Sequence, residues 1–298
     1  MTSIAIIGPG GIGATVAAWL HQAGHAVTIA TRTALDRILI DSPEGLIEAV
    51  PKIVTDPAAA LPVDWILVCT KTYDAIGAAA WLPALTGPDT RVAILQNGVE
   101  HRRRFPSIPP DRIVPVVVDI PAERIEPGHI RQHRHGTLIV PDDVAARDFV
   151  ALFAATPLMA SCSTDWPTVA WRKLCINSCG IALTLIDRPF GASHHPGVAD
   201  AMRALVEECA AVGRAEGADL PPDIADEVIA YYRAQAPALL NSLHADLRAG
   251  RPLELDARDG VVVRLGQRHG IATPLHAAMI GLVEGLIQGV LPPSNTRR

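Results

Sequence analysis

Aromatic residues are scarce in this chain, at 4% of 298. Stacking platforms of Phe, Tyr and Trp for unpaired bases are therefore missing. A surplus of positive charge is missing too: the net charge is −5. Neither feature suits a nucleic acid partner, whose phosphates call for a basic surface. The one dense basic run, His101-Arg102-Arg103-Arg104, lies just before a proline-rich turn and reads as solvated surface. No run of about 18 apolar residues free of breakers exists, so no membrane span is expected. The N-terminal apolar run starts at once and is broken by glycines, unlike a signal peptide. Five cysteines, an odd number in a long chain, make no disulfide framework. Cys175 and Cys179 read as small buried apolar residues. His194-His195 and His133 with His135 lack a carboxylate at metal-ligand spacing, so no metal is expected. The expected setting is a reducing cytosol.

Aliphatic residues dominate what is present. Hydrophobic residues make up 49%, mostly Ala, Leu, Ile and Val, which suits packed α/β layers and helices. The length predicts two domains. In the first half, strands alternate with helices. "SIAIIG" (3–8), "HAVTIATR" (25–32), "DWILVCTK" (64–71) and "RVAILQNG" (91–98) read as strands. "ATVAAWLHQAG" (14–24) and "TYDAIGAAAWLPAL" read as helices. This βαβ rhythm predicts a parallel sheet with right-handed crossovers. From 112 onward, "RIVPVVVDI", "GHIRQ" and "GTLIVP" are short strands that read as an edge extension of that sheet. A helix over 141–156 should close the domain. The stretch 157–167 holds two prolines and two serines and reads as the boundary. The predicted domains are 1–165, dinucleotide-binding, and 166–298, helical. "DWPTVAWRKLCINSCGIALTLI", "VADAMRALVEECAAVGRAEG", "PDIADEVIAYYRAQAPALLNSLHADLRAG" and "DGVVVRLGQRHG" each read as one helix. A last helix runs from Pro274 to Val290, and the tail "PPSNTRR" reads as frayed. The long apolar helices of this half suit a homodimer.

The strongest local signal is Gly8-Pro9-Gly10-Gly11-Ile12-Gly13, placed between a strand and a helix. Gly8 makes the tight turn, Gly10 lets backbone approach a pyrophosphate, and Gly13 lets the helix pack on the strand. Gly11 and Ile12 open the helix, whose free N–H groups face the anion. The second strand ends in Thr31-Arg32-Thr33. An NAD site places Asp or Glu there, whereas an arginine pairs with a 2′-phosphate. Asp36 comes too late, so NADP(H) is the expected cofactor. Lys71 and Gln96-Asn97-Gly98 stand at the carboxyl ends of two further strands, where open α/β sheets bind ligands. Asn97 is placed to reach the nicotinamide-side ribose or the substrate. Lys71 is placed to reach a phosphate or a substrate carboxylate.

One feature of the second half stands out. In "WRKLCINSCGIALTLI" (171–186), Lys173 and Asn177 interrupt an apolar run. They lie four residues apart and share one helix face, which continues through Gly180, Ile181 and Thr184. Taken with "GPGGIG", "CTKTYD", "LQNGV", "PGHI…GTLIV", "NSLHADLRAGRPLELDARDG" and "HGIATP", this stretch resembles the ketopantoate reductase (2-dehydropantoate 2-reductase) family over almost the whole chain. The resemblance implies a Rossmann domain plus an all-helical domain, as in 6-phosphogluconate-dehydrogenase-like reductases, with the site in the cleft between them. It implies NADPH-dependent reduction of a 2-keto acid, ketopantoate becoming pantoate, in pantothenate synthesis. Lys173 then matches the catalytic lysine and Glu254 its partner acid. Asn97 and Lys71 match cleft residues, and Asn177 and Ser242 match substrate-contacting positions. Asp256 and Asp259 read as structural.

The chain departs from the family where a second asparagine is usual, with Ile181 in its place and Ala182 where proline is common. Pro237-Ala238-Leu239-Leu240 stands where another asparagine is expected. Missing amides change what a site discriminates, so a bulkier or more apolar 2-keto acid is an alternative substrate. A non-enzymatic NADP(H)-binding redox sensor is a third reading.

Overall fold

A computed structural model of the chain describes residues 1–288. The tail "PPSNTRR" and the expected helix end at Gly289 and Val290 lie outside the described residues. The chain divides into two compact units, Met1–Trp166 and the residues from Pro167 onward.

The first unit begins with β1 (Ser3–Ile7), α1 (Gly11–Gln22) and β2 (Ala26–Ala30). Six more strands follow: β3 (Ile38–Ser42), β4 (Gly45–Ala49), β5 (Lys52–Val54), β6 (Val63–Val68), β7 (Thr86–Ile94) and β8 (Ile113–Pro115). The main sheet has the order β5-β2-β1-β6-β7-β8, and every pairing in it is parallel. With β3 and β4 set aside, this is the 3-2-1-4-5-6 order of dinucleotide-binding sheets, and its switch point falls between β1 and β6. Side chains alternate across the sheet, so consecutive apolar residues feed two cores. Ile4, Ile6, Ile29 and Leu67 pack with Ala14, Ala17 and Leu20 of α1 on one face. Ala5, Ile7, Ile66 and Val68 pack with Trp81, Leu85 and Phe105 on the other.

Several expectations need correction here. "TYDAIGAAAWLPAL" is a 3₁₀ turn (Thr72–Asp74) followed by two short helices, α2 (Ala75–Ala79) and α3 (Leu82–Leu85). Pro83 has no N–H to carry one helix through. Of the strands after 112, only β8 extends the main sheet. β9 (Val117–Asp119), β10 (Ala122–Glu126), β11 (His129–Gln132), β12 (Thr137–Pro141) and β13 (Met159–Ser163) build two small sheets, β10-β11-β3-β4 and β13-β12-β9. Pro115 and Pro121 interrupt the run, and Gly128, at φ 82°, turns the chain back. β13 occupies the stretch read as a boundary. The unit also holds α4 (His101–Arg104) and α5 (Val144–Ala151), the latter capped by Asp143, whose carboxylate accepts from the Ala146 N–H at 2.8 Å.

The described residues of the second unit are helical apart from turns. They form α6 (Trp166–Ser178, beginning at the boundary), α7 (Gly180–Leu185), α8 (Pro196–Ala215), α9 (Ile224–Ala234), α10 (Ser242–Arg248), α11 (Val261–His269) and α12 (Pro274–Gln288). A π-helical turn, Asp256–Gly260, leads into α11. The run 171–186 is not one helix, since it breaks at Cys179. The run 222–250 is also two helices, because Pro237 cannot continue α9. Cys175, Cys179 and Cys209 are buried thiols without disulfide partners. Glu208 of α8 accepts from the Leu275 and His276 N–H groups at 2.8 and 3.0 Å, which satisfies two orphan donors at the start of α12. No described helix is long and apolar enough to cross a membrane.

Candidate active site

The glycine loop owes its shape to contacts a side chain would not survive. Gly8 has φ 90°, and a Cβ there would lie 2.7 Å from Thr70 Cγ2. At Gly13 a Cβ would lie 2.2 Å from the Gly8 carbonyl oxygen. Gly10 differs, with nothing within 4 Å of the Cβ position. It is the N-cap of α1, offers no side-chain cap, and is followed by a first turn without acidic residues. Gly10 thus offers open backbone at the start of the helix that Gly11, Ile12 and Gly13 begin, and this N-terminus fits a dinucleotide pyrophosphate.

Arg32 lies just past β2 with its side chain 77% exposed. Asp74, in the turn after Lys71, meets it at 3.0 Å. This acid was not anticipated, because it follows β6 rather than β2. It steers the guanidinium and leaves most of it in solvent. Lys71 and Asn97 are partly buried. Gln96 links their two strand ends: its amide donates to Thr70 Oγ1 at 3.0 Å and to the Lys71 carbonyl at 3.4 Å. His101, read as solvated, is in fact buried. Its Nε2–H donates to the Gln96 carbonyl at 3.0 Å. Burial, with help from Arg104, pushes its pKa down to about 3, so the ring is neutral. A neutral histidine therefore pins the loop that carries Asn97.

In the second unit, Lys173 and Asn177 are partly buried one turn apart on α6. Glu254 is 4% exposed. Ser242 is the first residue of α10 and is exposed. Two residues overlooked in the sequence bring these together. Arg258 donates from Nη1 to Ser242 Oγ at 3.0 Å and from Nη2 to the Asn177 carbonyl. Asn241 caps α10 by accepting from the His244 N–H at 2.9 Å, and it donates to the Gly180 carbonyl at 3.0 Å. Gly180 does allow close approach, but to Asn241 and Tyr232: a Cβ would lie 2.9 Å from Tyr232 Oη. Ile181 is wholly buried among core residues. Asp187 fixes the far side of α10. It has φ 50°, and its carboxylate accepts from His244 at 2.6 Å and Arg248 at 2.7 Å. Those two partners hold its pKa at about 2.

A glycine loop on a 3-2-1-4-5-6 parallel sheet, joined to a helical unit that carries a lysine and an amide one turn apart, defines a pyridine-nucleotide-dependent oxidoreductase. The family model described as ketopantoate reductase PanE/ApbA matches residues 4–143, and its C-terminal counterpart matches residues 165–287. The chain belongs to the ketopantoate reductase family. It is 53% identical to the 2-dehydropantoate 2-reductase of Caulobacter vibrioides, over 95% of this chain and 98% of that protein. It is 36% identical to the enzyme of the same name from Mycobacterium tuberculosis, over 97% of this chain and 99% of that one. Among solved structures, a PanE/ApbA family ketopantoate reductase from Ralstonia eutropha JMP134 superposes with a TM-score of 0.87 at 30% identity, covering 96% of this chain and 98% of that chain.

Proposed function

We propose that the chain reduces 2-dehydropantoate (ketopantoate) to pantoate with NADPH as reductant. The observation that carries this reading is 53% identity across 95% of the chain to a protein named for the reaction. Preference for NADPH rests on Arg32, an exposed cation at a strand end without an Asp or Glu of its own. Bound cofactor supplies a hydride to the keto carbon. Negative charge then grows on the keto oxygen, which needs stabilisation and a proton. Lys173, with three N–H donors on a cationic head, meets both needs. Glu254 orients that lysine or holds the substrate hydroxyl. Ser242 and Asn97 hold the substrate carboxylate and hydroxyl, and Asn177 adds an amide donor. Lys71 and the loop Gly8 to Gly13 hold phosphate. Ile181 is wholly buried whereas Leu239 is exposed, so the alternative of a bulkier or more apolar 2-keto acid rests on the 237–240 stretch.

The test is NADPH oxidation with a panel of 2-keto acids that includes 2-dehydropantoate. Turnover with 2-dehydropantoate is expected, and no turnover with any acid leaves a redox sensor as the better reading. Lys173→Ala should lower kcat by on the order of 10²–10⁴ while still binding NADPH. Near-wild-type turnover in that variant removes Lys173 from the chemistry.

A further inference from the structure

Arg258 is the bulkiest fully buried side chain among the described residues, at 1% exposure. A guanidinium stays charged and carries only donors. Burying one is unfavourable unless its hydrogen bonds offset the lost hydration. This one spends its bonds on two segments that matter to the reductase reading. Nη2 holds the Asn177 carbonyl in the last turn of α6, one turn beyond Lys173. Nη1 holds the hydroxyl of Ser242 at the start of α10. Arg258 itself sits in the π-helical turn, four residues after Glu254, and its N–H donates to the Glu254 carbonyl at 3.2 Å. One residue, through its guanidinium and its main-chain N–H, thus joins the three segments that carry Lys173, Ser242 and Glu254.

We infer that Arg258 is a positioning residue for the substrate, acting through Ser242; the inference rests on the reductase reading above. The polarity of the contact is what matters. Ser242 Oγ accepts from Arg258, so its own proton points elsewhere. Ser242 is exposed, and its hydroxyl is thereby preset as a donor toward an incoming acceptor. A carboxylate oxygen of a 2-keto acid is such an acceptor. The positive charge behind the hydroxyl strengthens that donor. The same fork holds the end of α6, so Lys173 and the Ser242 hydroxyl keep one geometry.

The test measures kcat and both KM values for wild type, Arg258→Lys, Ser242→Ala and the double variant. Lysine keeps the charge but has no planar fork to serve both acceptors. Arg258→Lys should raise KM for 2-dehydropantoate about tenfold, the scale of one charge-assisted hydrogen bond. KM for NADPH should stay within about twofold. In the Ser242→Ala background the lysine substitution should add less than about twofold, because the path is already cut. Unchanged substrate KM in Arg258→Lys overturns the inference. So does an equal rise in both KM values, or effects that multiply in the double variant. If Arg258→Lys does not fold, Ser242→Ala decides alone: it alters an exposed residue, and an unchanged substrate KM there overturns the inference as well. Wild-type protein that reduces no 2-keto acid refutes the reductase reading itself, whereas wild-type turnover with unmoved variants refutes only the role of Arg258.

Discussion

Asp259 is fully buried, and neither of its carboxyl oxygens has a hydrogen-bond partner among the described residues. Burial pushes its pKa from 3.8 up to about 7, against the opposing pull of Arg258 and His276. The folded chain therefore binds this proton more tightly than the unfolded chain does. Its contribution to stability is intact below about pH 4, is lost as pH rises toward 7, and levels off above that. Asp259→Asn keeps the shape without the charge. It should stabilise the fold at pH 8 by on the order of 1–3 kcal/mol and flatten the decline toward neutrality, as read by urea unfolding across pH. Parallel pH profiles for the two proteins would refute this. Neither Arg258 nor Asp259 could be weighed from sequence. In "LELDARDG", Asp256 and Asp259 read alike as structural and Arg258 carries no signal of its own, and nothing local marks which of these charges turn inward. Lys173 stood out in the sequence because it interrupts an apolar run.

Elements differed in how clearly they were written. The strand, glycine loop and α1 were readable because Gly8 and Gly13 answer steric demands that other residues cannot meet. The hairpin of β3 and β4 was missed although its signal was there: Ser42-Pro43-Glu44-Gly45 is a turn between apolar strands, and Gly45 has φ 110°. The break at Cys179 left only a weak mark, Gly180, which a helix interior tolerates at a cost of about 1 kcal/mol. What organises that break is Asn241, which at first reads as mid-helix. It caps α10 and bonds the first residue of α7, while Thr184 donates to its side-chain oxygen at 3.4 Å. Asn241→Ala removes a cap worth about 1 kcal/mol and a hydrogen bond to the Gly180 carbonyl worth roughly as much again, although Thr184 Oγ1 still donates to that carbonyl at 3.0 Å. A loss of about 2 kcal/mol in urea unfolding is expected. A loss under about 0.5 kcal/mol would mean that α7 and α10 do not depend on this amide.

Across the whole molecule, the proposed roles divide between the units, with Asn97 of the first unit also assigned to substrate. All residues read as nucleotide-binding lie in Met1–Trp166, and Lys173, Asn177, Ser242 and Glu254 lie beyond it. Arg32→Asp should therefore act on one half of the kinetics alone. The NADPH-over-NADH preference should fall on the order of tenfold or more, the scale of a lost charged hydrogen bond, with KM for the 2-keto acid unmoved. An unchanged preference would overturn the assignment of Arg32. The division also bears on synthesis. The second sheet of the first unit pairs Ile40 of β3 with Ile130 of β11, about ninety residues later. At roughly 5–20 residues per second, a ribosome leaves β3 without that partner for about 5–20 seconds. The edge that holds Ile38 and Ile40, both fully buried once folded, is bare for that interval and open to pairing with a neighbouring nascent chain.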